Sequence, residues 1–251
     1  MVASMYGEPD TRIGSIFGTG CNAAYMEDCG NIPRLQGPEF KPGVLMAINC
    51  EYGAFDNDHV VLPRTQYDVT VDKESPRPGQ QSYEKMTSGL YLGEIFRLVL
   101  EDLKRKGVIF KGKDVPMLNH SQTIDCVVLA KIGMTNHYDK RELLEDLLKI
   151  PLDEEEVTLC RDLARMIDMR AARLCACGLA AVYKKTGWKP CVVGIDGSVL
   201  LNNPELKDSV LQALGEILGS SVDQLPLRLN MVRDGSSEGA AIAAAISTRG
   251  K

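Results

Sequence analysis

CVVGIDGSVLLNNP, residues 191–204, is the stretch that decides the fold. Its first five residues, Cys191 to Ile195, are unbroken apolar residues. A strand with one wet face alternates apolar and polar; one with no alternation is covered on both faces, as in a parallel sheet between helices. The run stops at Asp196-Gly197-Ser198, and a helical pattern follows across Pro204 to Leu218. Upstream, Val157, Cys160, Ala164, Ile167, Ala171, Leu174, Gly178 and Ala181 recur at alternating spacings of three and four. Arg161, Asp162, Arg165 and Asp168 fall on the opposite side, and Thr186-Gly187 supplies the stop. That is one long amphipathic helix. Downstream, Leu225 to Val232 reads as a strand, and Asp234-Gly235-Ser236-Ser237 opens a last helix of small residues. Helix and strand therefore alternate through the second half, which predicts an α/β fold.

The first half reads less regularly. Arg12 to Phe17 is a short strand, Gly18-Thr19-Gly20 a tight turn, and Asn22 to Tyr25 a returning strand. Val44 to Cys50 is a third strand. Asp72 to Gln80, with two prolines and a glycine, is loop. Leu92, Phe96, Val99 and Leu103 then predict a long helix, which Glu84 opens and Gly107 ends. Residues 108–150 carry only short helical patches.

The chain has 251 residues, enough for one large domain or two small ones. Its 29 basic and 34 acidic residues give a net charge of -5, so no basic field is available for a nucleic-acid backbone. The longest apolar helical segment, Leu174 to Tyr183, is half of what a membrane span needs. The first ten residues lack the basic and apolar regions of a secretory signal. Eight scattered cysteines, with no CxxC, read as reduced thiols of a cytoplasmic protein. Cys175 and Cys177 point to different faces of the long helix. His59, His120 and His137 stand far apart without ligand spacing, and Glu154-Glu155-Glu156 reads as favourable charge at a helix start rather than a metal site.

Three glycine turns each follow a strand: Gly18-Thr19-Gly20, Asp196-Gly197-Ser198 and Asp234-Gly235-Ser236. Glycine lets backbone approach a phosphate, and Thr or Ser adds a hydroxyl. Each alone is more often a plain turn. No GxxxxGK[ST] or GxGxxG pattern is present. Amides and carboxylates form a second set: Asn22, Asn49, Glu51 and Glu84 stand at the rims of apolar elements. Such groups can clasp a polyol, since carboxylates accept from its hydroxyls and amides do both. Capping explains Glu84 equally well; it explains Glu51 poorly.

Seven segments then resemble one family. IFGTGCNAAY (16–25), AINCEYGAFDND (47–58), VLPRTQYDVTVD (61–72), SPRPGQQSYEKMTSGLYLGEIFRLVL (75–100), RAARLCACGLAAV (170–182), VGIDGSVLLNNP (193–204) and DGSSEGAAIAAA (234–245) resemble the C-terminal part of the large domain of eukaryotic hexokinases, of fungal type. The resemblance implies an actin-like, ribonuclease-H-like ATPase fold, with residues 1–251 forming the large lobe and the small lobe missing. It implies transfer of the ATP γ-phosphoryl group to the 6-hydroxyl of glucose or a related hexose, with Mg²⁺, in glycolysis. By motif, Gly18, Thr19 and Gly20 would face the phosphates, Gly197 and Ser198 the adenosine, and Gly89 the nucleotide cleft. Asn22, Glu51 and Glu84 would bind sugar. Ser237, Leu200-Leu201 and Cys126 depart from the family's usual Gly, Tyr-Lys and Thr. The family's catalytic Asp belongs to an Asn-Asp-Thr-Val segment that precedes the matched residues, so no catalytic base is assigned here. The chain alone is expected to be inactive or nearly so. A second expectation is a non-catalytic sugar- and nucleotide-binding half-lobe that regulates or complements an N-terminal half. Loss of neighbours along strand Arg12–Phe17 is expected to expose an edge and promote self-association.

Overall fold

A computed structural model describes residues 1–35, 37–135 and 139–249; His137 lies outside them. Five strands form one mixed sheet: β1 (Thr11–Phe17), β2 (Cys21–Asp28), β3 (Leu45–Asn49), β4 (Cys191–Asp196) and β5 (Leu227–Met231), in the order β3-β2-β1-β4-β5. β1 and β2 make an antiparallel hairpin in which Phe17 pairs with Cys21. β1 and β4 run parallel, with Ile16 beside Asp196, and β4 continues parallel to β5. The turns after β1 and β4 therefore emerge side by side at one end of the sheet. Ligands of open α/β sheets bind at this kind of place, beyond the carboxyl ends of parallel strands.

β1 is the central strand, hydrogen-bonded to β2 on one side and β4 on the other. This corrects the expectation of an exposed edge at Arg12–Phe17: β4 arrives from far along the chain and covers it. The edges are β3 and β5.

Ten helices complete the described chain: α1 (Val2–Gly7), α2 (Gln66–Glu74), α3 (Ser82–Thr87), α4 (Gly89–Arg105), α5 (Cys126–Gly133), α6 (Lys140–Leu148), α7 (Glu154–Thr186), α8 (Ser198–Leu201), α9 (Pro204–Leu218) and α10 (Gly235–Arg249). The 33 residues of α7 are specified at both ends. Asp153 and Glu156 form a reciprocal capping box, three glutamates occupy the first turn, and Gly187 closes the helix at φ 65°. One core runs from Ile13 and Phe17 of the sheet through Phe96 and Leu100 of α4 to Leu129, Leu179 and Leu214 of α5, α7 and α9, each fully buried. α1 lies against β1 and β4 where Gly14 and Gly194 carry no side chain: a Cβ on Gly14 would stand 2.6 Å from the Met1 Cα.

Glu84 does not open the long helix. It sits in α3, which stops at Thr87; Ser88 is extended, with ψ 153°, and α4 starts afresh at Gly89. β3 and β5 are each shorter than the apolar runs that predicted them. Among the described residues all eight cysteines are unpaired. Cys175 is buried and Cys177 exposed, as their spacing predicted. Burial pushes the Cys21 and Cys160 thiols up to about 12, which suits structural thiols and not thiolate chemistry. No described helix is long and apolar enough to cross a membrane.

Candidate functional site

The turn after β1 is tied to the corner between α3 and α4. Gly18 N–H donates to Gly20 O at 2.9 Å, and Gly89 N–H donates to Gly18 O at 2.7 Å. On the other side of the turn, Cys21 N–H donates to the Glu84 carboxylate at 2.9 Å. One six-residue span, Glu84 to Gly89, thus grips both ends of Gly18-Thr19-Gly20. Room is so short that a Cβ on Gly20 would stand 2.6 Å from Glu84 Oε2.

Gly197 joins this corner from β4. It holds φ at 103°, and a Cβ there would lie 2.7 Å from Gly18 N. A Cβ on Gly89 would meet Cys126 Sγ at 2.8 Å and Val199 Cγ2 at 3.0 Å. Gly18, Gly89 and Gly197 therefore bring bare backbone together, as phosphate binding requires. Thr19 and Ser198 are exposed beside them, and neither hydroxyl has a hydrogen-bond partner among the described residues. Asp196 accepts from Gly197 N–H at 2.7 Å and Ser236 N–H at 3.2 Å, so the third glycine turn closes the same end of the sheet. Next to the corner is a cavity of about 310 Å³; Cys126, Ser198 and Val199 line it on the turn side.

The amide–carboxylate set gathers on the other side. Asn22 Nδ2 donates to Asn49 Oδ1 at 2.7 Å and lies 3.4 Å from Glu51 Oε1; Asn49 Nδ2 donates to Glu51 Oε1 at 2.7 Å. β2 and β3 set this up, since Ala24 pairs with Asn49 and places the strand end beside Asn22. Glu51 is left-handed at φ 50°, a conformation uncommon for a non-glycine residue. That conformation turns the chain at Glu51 while its carboxylate takes the two amides. Glu84 is linked to the set through Cys21, the neighbour of Asn22. Gly53 packs under it: a Cβ there would stand 3.3 Å from Glu84 Cβ and 2.6 Å from Gln81 Oε1.

The nine residues that the resemblance assigned therefore fall into two clusters at one turn. Gly18, Thr19, Gly20, Gly89, Gly197 and Ser198 lie on one side; Asn22, Glu51 and Glu84 lie on the other. Asn49, read from the sequence as part of the amide–carboxylate set, belongs with the second cluster. Gln81 had no signal, because its position depends on the loop before α3. His59 sits 3.4 Å from Ser82 Oγ, outside both clusters.

A sequence model of the family described as Hexokinase matches residues 12–246. The chain belongs to the hexokinase family. It is 47% identical over 255 residues to the hexokinase of Emericella nidulans, covering 99% of this chain and 52% of that protein. It is 45% identical over 258 residues to Hexokinase-2 of Saccharomyces cerevisiae, covering 99% and 53%. The fungal character of the resemblance is borne out by these relatives. Hexokinase from Schistosoma mansoni, solved in complex with glucose, superposes with a TM-score of 0.82 at 28% identity, over 97% of this chain and 55% of that one. The α/β architecture is accordingly that of an actin-like ATPase lobe. The chain spans about half the length of the curated hexokinases it matches.

Proposed function

We propose that residues 1–251 are the large lobe of a hexokinase that transfers the γ-phosphoryl group of ATP to the 6-hydroxyl of glucose or a related hexose. One observation carries this reading. An amide–carboxylate cluster (Asn22, Asn49, Glu51, Glu84) and a corner of bare glycine backbone (Gly18, Gly89, Gly197) share a single three-residue turn. Phosphoryl transfer depends mostly on positioning acceptor and donor in line, with electrostatic support. A turn gripped at both ends supplies fixed positioning. Carboxylates accepting from sugar hydroxyls would orient the acceptor. Thr19 and Ser198 would add hydroxyl donors to the phosphates and adenosine side.

Mg²⁺ fits this site only as a companion of the nucleotide. No group of three or more His, Cys, Asp or Glu among the described residues could hold a metal. Mg²⁺ is commonly held by substrate phosphates with one or two carboxylates, and Asp196 is the carboxylate at this corner. When bound, the ion would neutralise charge on the transferring phosphate. Proton removal from the 6-hydroxyl is assigned to no residue here, since the resemblance gives that role to the Asn-Asp-Thr-Val segment. A general base contributes roughly 10²–10⁴ in rate, whereas ligand binding does not depend on it. Binding is therefore the decisive test. Glucose and ATP with Mg²⁺, titrated separately by calorimetry, should each give saturable heat. No heat with either refutes the reading, and robust glucose phosphorylation by this chain would refute the assignment of the base elsewhere.

A further inference from the structure

The cavity beside the Gly197-Ser198 turn is walled by apolar side chains, among them Leu92, Val127, Val199 and Leu206, yet Asp168 and Asn203 also face it. Asn203 has both ends of its amide engaged. It is 3% exposed, its Oδ1 accepts Leu206 N–H at 3.0 Å as the cap of α9, and its Nδ2 donates to Asp168 Oδ2 at 3.1 Å. Among the described residues that is the only hydrogen bond Asp168 receives, so its second oxygen is left for the cavity. Other withdrawn carboxylates in this protein are better supplied. Asp72 receives Lys85, Arg64 and Gly79 N–H, and Glu94 receives Arg97 and Gln122 N–H. Asp168 is half-buried, and its second oxygen faces a cavity whose other polar lining is Lys131, Ser198 and Asn202.

We propose that Asp168, positioned by Asn203, selects the base of the phosphoryl donor by accepting a hydrogen bond from an exocyclic amino group. The inference rests on the nucleotide reading of the glycine corner. The cavity shares Cys126 and Val199 with the surroundings of Gly89 and begins at Ser198, so a nucleotide with its phosphates at the turns would extend its base into this slot. Apolar walls suit the faces of a flat ring, and a carboxylate acceptor among them distinguishes a ring edge that carries an amine from one that does not. Burial raises the Asp168 carboxyl to about 7, and the nearby Glu205 charge adds to this while the Asn203 hydrogen bond opposes it. Glu205 of α9, Lys131 and Cys126 of α5 and Arg165 of α7 are the other ionisable groups facing this region. The ionised acceptor makes the stronger hydrogen bond, so selectivity should weaken as pH falls through about 7.

The test is calorimetric affinity of this chain for ATP and for purine riboside 5′-triphosphate, in which hydrogen replaces the 6-amino group. Wild-type protein should prefer ATP by about tenfold or more at about pH 8, the scale of a hydrogen bond to a charged group. Asp168→Leu, which keeps the branched side-chain shape and removes the acceptor, should bring the two affinities within about threefold. In wild-type protein, which needs no variant to fold, the preference should shrink at about pH 6. An unchanged ratio in Asp168→Leu, or equal wild-type affinities at about pH 8, overturns the role of Asp168 while leaving the nucleotide cleft intact. No binding of either nucleotide overturns the nucleotide cleft and this inference with it.

Discussion

Gly197 holds a backbone conformation that only glycine adopts without strain, at φ 103°, and it does so where Gly18 passes closest. Gly197→Ala should destabilise the protein by about 1–3 kcal/mol, read from the urea midpoint, and should weaken ATP binding more than glucose binding. An ATP affinity unchanged within error would remove Gly197 from the phosphate cradle. Asp168 makes a prediction of opposite sign. Its carboxyl is raised to about 7 in the folded chain from an ordinary 3.8. Below the lower value both states are protonated and the group is neutral in effect. Between the two values the unfolded chain has ionised and the folded one has not, so stability declines as pH rises and the full penalty is present above about 7. Asp168→Asn should therefore raise the melting temperature more at about pH 8 than at about pH 5; a gain that is equal at both would contradict the raised value. The glycines and Glu51 were legible because their residue types sit oddly in their surroundings. Asp168 was not: at helical spacing it reads as part of the solvated face of α7, and only the arrival of α9 half-buries it.

At the scale of elements, long periodic segments were readable and the joints between them were not. α7 and α9 follow directly from spacing and caps. The break at Ser88 between α3 and α4 is invisible to periodicity, because Glu84 and Gly89 are held by β1–β2 contacts rather than by local preference. Residues 108–125 had no pattern for a related reason. They are fastened to α4 by a buried pair: Arg97 donates to Glu94 and to Leu118 O, and Gln122 N–H donates to Glu94 at 2.6 Å. Arg97→Met removes one partner and leaves Glu94 withdrawn and charged. It should cost about 3–5 kcal/mol by chemical denaturation, whereas breaking an exposed pair such as Arg173–Glu216 should move the same measurement little. Similar losses for the two would mean that the 108–125 segment is held by something other than this pair.

For the whole molecule, the fold class was readable from 191–204, but strand order was not. Loss of neighbouring segments was expected to leave β1 bare; the sheet instead inserts it between β2 and β4, using a crossover of more than a hundred residues. The continuous core that results predicts one cooperative unit. Trp188, the sole tryptophan, donates from its indole N–H to Met26 O at 2.9 Å, with Arg12 over its ring at 5.1 Å. Its fluorescence reports on the sheet side of the core. Urea transitions followed by Trp188 fluorescence and by far-ultraviolet dichroism should coincide; separate midpoints would divide the chain into independent units. The central claim is that Asn22, Asn49, Glu51 and Glu84 form a sugar clasp on the turn that also cradles phosphate. Calorimetric titration of glucose into wild-type protein and into Glu84→Gln tests it most directly, since the amide can still accept Cys21 N–H and keep the turn in place. Wild-type protein should bind glucose saturably and the variant at least about tenfold more weakly, with little change in melting temperature. Equal glucose affinity in the two proteins would contradict it.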